Sequence, residues 1–110
     1  MISLSDDLLQ TIVSRIVAEL RPDAIYVYGS HAYGTPHRDS DIDLLVVVSA
    51  SSLPSHRRAI AVYRALRGLA VPVEAKVVTR KEFEQRSRWL SSIERVVLDR
   101  GRVVYEAGSG

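Results

Sequence analysis

The chain has 110 residues, 46% of them hydrophobic, enough for one compact domain with a real core and too few for two. It contains no cysteine, which excludes a disulfide framework, a thiolate zinc site and a cysteine nucleophile, and which fits a reducing cytoplasm. Fifteen Lys and Arg against thirteen Asp and Glu leave a formal charge of +2, too small an excess to argue for nucleic acid as a partner.

No apolar run approaches the length of a bilayer span, and Met1-Ile2-Ser3-Leu4 lacks the basic start of a signal peptide, so a cytoplasmic protein without a membrane anchor is expected. Ser5 with Asp6 and Asp7 opens a capped helix whose Leu8, Leu9, Ile12, Val13, Ile16, Val17 and Leu20 recur at helical spacing, and Pro22 ends it. Ala24 to Tyr28 is aromatic and β-branched and runs into Gly29-Ser30, which reads as a strand that stops at a turn. Residues 31–40 carry Gly34, Thr35 and Pro36 without sustained periodicity, predicting at most a short helical turn and a polar loop. Ile42 to Val48 is nearly continuous in Leu, Ile and Val, the pattern of a central strand buried on both faces.

Beyond Pro54 a helix is predicted with Ile60, Tyr63 and Leu66 on one stripe, ended by Gly68. Val71 to Val78 alternates with period two as a further strand, with Glu74 and Lys76 on its polar face. Thr79 and Glu82 form a capping box for a helix expected to bury Phe83 and Leu90, and Ser91 with Glu94 restarts it toward Ile93, Val97 and Leu98 as far as Gly101. Val103 to Tyr105 reads as an edge strand, closing one domain over 1–105, and 106–110 is expected to be a disordered tail. Arg57, Arg58, Arg64 and Arg67, and then Arg80, Lys81, Arg86 and Arg88, read as solvated helix faces rather than a phosphate-binding patch. The alternation of strands and helices predicts an α/β (α+β) fold with one small sheet covered by helices.

Chemistry concentrates in two short segments. Asp41 and Asp43, at i and i+2 on a strand, share a face and can reach one cation; a hard divalent ion such as magnesium would relieve their mutual repulsion. Gly29 allows close backbone approach to a phosphate, and Ser30 offers a hydroxyl and an amide. Each signal alone has a bland alternative, a solvated Asp-x-Asp at a strand end and a flexible Gly-Ser turn. They support each other if the two strands are antiparallel neighbours, because the ten-residue connection would then bring the turn against the aspartates. His31, His37 and His56 lack the spacing of a zinc site; Tyr33 is a candidate for stacking on a base, and Trp89, if exposed, would mark a partner surface.

Gly29-Ser30, ten residues, then Asp41-Ile42-Asp43 resembles the signature of the polymerase-beta nucleotidyltransferase superfamily, and the stretch Tyr28 to Gly34 with Ser40 to Leu44 resembles its minimal (MNT) branch. The resemblance runs from about Ala24 to Tyr105 and implies the polymerase-beta-like fold, a small mixed sheet flanked by helices. It implies a third carboxylate, which falls by position on Glu74, where aspartate is usual; the alternative for Glu74 is an exposed strand residue paired with Arg or Lys. It also implies transfer of a nucleoside monophosphate, AMP from ATP, to a hydroxyl with loss of pyrophosphate. Asp41, Asp43 and Glu74 would hold one or two Mg2+, Glu74 would serve as base, and Gly29 and Ser30 would hold the phosphates. MNT proteins pair with HEPN toxins as antitoxins and modify them on tyrosine, so a HEPN-type partner is implied. Two further readings remain open: a non-catalytic module that neutralises its partner by binding, and transfer to a small-molecule hydroxyl. The second would need an acceptor site completed by another protein or by a second copy.

Overall fold

The computed structural model describes residues 6–29 and 41–108. In chain order these form α1 (Asp6–Leu20), β1 (Ala24–Tyr28), β2 (Ile42–Val48), α2 (Ser55–Ala65), β3 (Val73–Thr79), α3 (Arg80–Arg86), α4 (Ile93–Arg100) and β4 (Arg102–Glu106). The strands make one mixed sheet in the order β3-β2-β1-β4. β1 is antiparallel to both β2 and β4, whereas β2 and β3 are parallel, as strands joined through a helix commonly are.

The period-two geometry of the strands divides the core into two layers. On one face Ile25, Val27, Ile42, Leu44, Val46 and Val77 pack under α1 and α2, which contribute Ile12, Ile16, Val62 and Leu66. On the other, Ala24, Leu45, Val47 and Val78 pack under Phe83 of α3 and Val97 of α4. Tyr26 joins this layer by stacking on Phe83, with ring centroids 5.6 Å apart. Ile42 and the four successive residues Leu44 to Val47 of β2 are fully buried, so the nearly continuous apolar run is a central strand with helices on both faces.

Several helix boundaries differ from the periodicity. α1 stops at Leu20 because Arg21 turns into the left-handed region (φ 47), its N–H donating to Val17 O at 2.9 Å; the break thus precedes Pro22. In α2 the buried stripe is Val62 and Leu66, while Ile60 and Tyr63 are half-exposed; the Tyr63 hydroxyl instead reaches the edge of β3. Leu90, expected in the core, is 81% exposed, because α3 ends at Arg86 and residues 87–92 form turns that lift it from the sheet. The cap that restarts the chain as α4 is Ser92 rather than Ser91, accepting from Arg95 N at 3.0 Å. With that phase α4 buries Glu94 and Val97 and leaves Ile93 and Leu98 exposed. β4 runs one residue past Tyr105, and Ala107 N donates to Asp23 O. Among the described residues no helix is long and apolar enough to cross a membrane.

The Thr79–Glu82 capping box is formed: Glu82 N donates to Thr79 Oγ1 at 3.1 Å and Thr79 N to Glu82 Oε1 at 2.9 Å. The same carboxylate takes a 2.6 Å salt bridge from Arg58, so one side chain ties α2 to the start of α3. Arg58 is therefore a buried strut rather than part of a solvated face. The Arg58 hydrogen bond is the main reason that the Glu82 carboxyl is held down at about 2, with Thr79 N–H and Arg86 assisting against its desolvation. A carboxyl whose folded pKa lies below its unfolded value stabilises the fold fully above the unfolded value, and that contribution is lost as pH falls toward the folded one. Replacing Arg58 by Gln is therefore expected to destabilise the domain by roughly 1–3 kcal/mol at neutral pH. In urea titrations the gap to wild type should close progressively as pH drops from about 5 toward 2.

Candidate active site

The register of the sheet decides which polar residues meet. Tyr28, the last residue of β1, is paired with Asp43, and Asp43 is paired across the parallel ladder with Glu74. Registered residues on neighbouring strands project from the same face about 5 Å apart, so Asp43 and Glu74 stand side by side. That face is the one covered by α3 and α4, but its apolar layer extends over Leu45, Val47 and Val78, at the opposite ends of β2 and β3. The two carboxylates thus lie beyond the roofed part of the sheet: Asp43 is half-buried and Glu74 exposed.

Gly29 closes the site from the β1 side. Its backbone is left-handed (φ 74), and a Cβ built there would collide with Asp43 Oδ2 and stand 3.2 Å from Asp43 Cγ. Only glycine satisfies both constraints, one conformational and one steric. The antiparallel pairing on which the sequence argument depended is present, and it brings the Gly29 turn against Asp43. Asp41 is exposed and immediately precedes β2, two residues before Asp43 and so in phase with it. Ser30, Tyr33 and His37 lie outside the described residues.

One reading of Glu74 pairs it with Arg or Lys. Among the described residues it makes no salt bridge. The cation nearest in sequence on its face, Lys76, is turned to Glu94, with Nζ 3.4 Å from Oε2. Glu94 is only 1% exposed, and the Arg86 guanidinium approaches the same oxygen at 3.6 Å. The sequence marked Glu94 only as a capping partner of Ser91, an ordinary first-turn helix carboxylate. Its role follows from where α4 lands on the sheet.

Two adjacent carboxylates at an open sheet end are a donor set that hard divalent ions take. Among the described residues no three His, Asp or Glu side chains already stand close enough to hold an ion in common, so Asp41 is not drawn in beside Asp43 and Glu74. A groove of about 920 Å3 between α1 and β4 is lined by none of these residues.

A mixed four-stranded sheet with paired carboxylates beside a glycine turn is the arrangement of a nucleotidyl-transfer domain. The profile of the nucleotidyltransferase domain family matches residues 9–104, and the chain belongs to that family. No curated protein sequence matches it. Among solved structures, the chain is similar to a Sulfolobus solfataricus protein assigned as a nucleotidyltransferase, with a TM-score of 0.65 and 24% identity over 93% of this chain and 81% of that one. It is also similar to a chain of a toxin–antitoxin complex crystallised with AMP-PNP (TM-score 0.64, 22% identity, 91% and 74% covered). A third similarity is to a mutant of the toxin–antitoxin pair MntA–HpeT in which two aspartates two positions apart are replaced by glutamate (TM-score 0.61, 19% identity, 91% and 74% covered). At these identities the structural likeness establishes the fold, and the family match establishes a nucleotidyltransferase.

The Gly29–Asp43 contact yields a quantitative expectation. Gly29→Ala should cost roughly 2–3 kcal/mol, the sum of left-handed strain and the clash with the carboxylate. In an Asp43→Ala background the same change should cost only about 1 kcal/mol, leaving the backbone strain alone. Urea unfolding of the four proteins in the cycle checks this.

Proposed function

We propose that this protein transfers AMP from ATP to a hydroxyl of a protein partner, a HEPN-type toxin whose tyrosine it modifies, and so acts as an antitoxin. The observation that carries the reading is the in-register Asp43–Glu74 pair against the Gly29 turn, on a chain of the nucleotidyltransferase family. Asp41, Asp43 and Glu74 would hold Mg2+, with Asp41 swinging in when the ion and nucleotide arrive. The ion, when bound, would neutralise the triphosphate and polarise its α-phosphorus.

The remaining work falls to the chain itself. Gly29, lacking a side chain, leaves the β1 turn open to close approach by a phosphate, and Ser30 would add donors to the same oxygens. These contacts would hold the pyrophosphate leaving group in line with the attacking hydroxyl. Glu74, exposed beside Asp43 and without a salt bridge among the described residues, would take the proton of that hydroxyl. Its extra methylene relative to aspartate gives the carboxylate longer reach from the strand.

Adenine nucleotide as donor is supported by the related complex crystallised with AMP-PNP. Replacement of two aspartates at the Asp41–Asp43 spacing in the MntA–HpeT structure points to the same pair here. A protein acceptor is supported by both toxin–antitoxin relatives and by exposed apolar surface on the turn before α4: Trp89 is 62% exposed, Leu90 81% and Ile93 42%. Exposed tryptophan in such a cluster is typical of a protein contact.

Incubation with α-labelled ATP, magnesium and the partner toxin should label the partner. Asp41→Asn with Asp43→Asn should reduce labelling at least roughly 100-fold while leaving the circular-dichroism spectrum and complex formation intact. A tight complex without label in wild type would favour a non-catalytic binding module. Trp89→Ala should act in the opposite way, weakening partner binding by roughly tenfold or more without changing nucleotide binding.

A further inference from the structure

The outer face of α2 carries charge of one sign. No acidic residue occurs between Asp43 and Glu74, a stretch that holds Arg57, Arg58, Arg64 and Arg67. Arg58 is accounted for by its bridge to Glu82. Arg57, Arg64 and Arg67 are exposed and make no salt bridge among the described residues. Arg57 lies in the first turn of α2, where a cation opposes the helix dipole, so helix stability does not explain its placement. Arg15 of α1, also exposed and without a salt bridge among the described residues, donates to Arg67 O at 2.9 Å and extends the basic surface past the end of α2.

Between these cations the surface is apolar. Ile60 is 51% exposed, and Leu53, in the turn before α2, is 48% exposed. With Arg57, Ala61 and Arg64 they line a shallow depression of about 250 Å3. Arg57, Ile60 and Arg64 fall at i, i+3 and i+7, on one stripe of the helix, so an aliphatic side chain sits between two guanidinium groups whose positions lie roughly 10 Å apart along the axis. We propose that this face docks an acidic amphipathic helix of a protein partner. Carboxylates two turns apart on that helix meet Arg57 and Arg64, whose forked donors match them bidentately, and a leucine or isoleucine between them enters the depression.

The chemistry of the face selects this occupant over others. A second copy docked through the same face across a two-fold axis would set arginine against arginine. Single-stranded nucleic acid is held by cations together with aromatic platforms for its bases, whereas the centre of this face is aliphatic; a duplex backbone offers no apolar group to fill the depression. α2 packs on the layer of the sheet that it shares with α1, away from the face that carries Asp43 and Glu74, and the proposal does not rest on the reaction proposed above.

Fluorescence anisotropy of the full chain with three labelled probes tests it: a helical peptide with glutamates two turns apart and leucine between them, the same peptide with lysine for glutamate, and a duplex oligonucleotide. The glutamate peptide should bind at least roughly tenfold more tightly than either of the others, and its affinity should fall as ionic strength rises. Arg57→Glu combined with Arg64→Glu should weaken its binding at least roughly tenfold, and Ile60→Ser alone roughly fivefold. Arg102→Glu, at the far edge of the sheet, should leave it unchanged. Circular dichroism establishes that each variant is folded. Failure of the glutamate peptide to bind, equal binding of the lysine peptide, tighter binding of the oligonucleotide, or a loss in Arg102→Glu as large as in the α2 variants would overturn the proposal.

Discussion

The register of β2 between its two neighbours is the constraint on which the rest of the site depends. One pairing sets Tyr28 opposite Asp43 and the other sets Asp43 opposite Glu74, and a slip of one residue in either would send one carboxylate to the opposite face. The apolar residues of β2 enforce this choice. Ile42, Leu44 and Val46 serve the layer under α1 and α2, and Leu45 and Val47 the layer under α3 and α4, so a shifted register would drag Asp43 into a core. Burial on both faces is thus what holds an exposed polar pair in place.

The helices decide where the sheet is open. Phe83, stacked on Tyr26, and Val97 cover one end of a face, and the short α3 cannot cover the other. Its position is held by Glu82, which caps its own helix and bridges to Arg58 of α2 across the edge of the sheet. Glu94 plays the corresponding part for α4, buried between Lys76 and Arg86, and its demand for cations draws Lys76 away from Glu74. The cluster around Glu94 thereby engages Lys76, the cation nearest in sequence to Glu74 on that face of the sheet.

The sheet edges carry a comparable division of labour. Tyr63 occupies the Ala75 N–H at the β3 edge, whereas β4 interrupts its own ladder with a bulge at Val104. Both features blunt an exposed edge against the addition of a further strand.

Local sequence determined the kinds of element and the identity of the conspicuous site residues. The continuous apolar run of β2, the alternation of β3, the Thr79–Glu82 box and the Gly29 turn each rest on backbone preferences and side-chain periods acting over a few residues. Gly29, Asp41 and Asp43 stood out as candidates because glycine and paired aspartates are unusual choices at the ends of buried strands. Tertiary structure alone decided that Glu74 sits beside Asp43, that Arg58 reaches Glu82 twenty-four positions away, that Glu94 is buried and that Leu90 is not. These follow from a parallel crossover and from the phase at which α3 stops and α4 restarts, and such long-range geometry is set by the packing of whole layers rather than by the residues on either side.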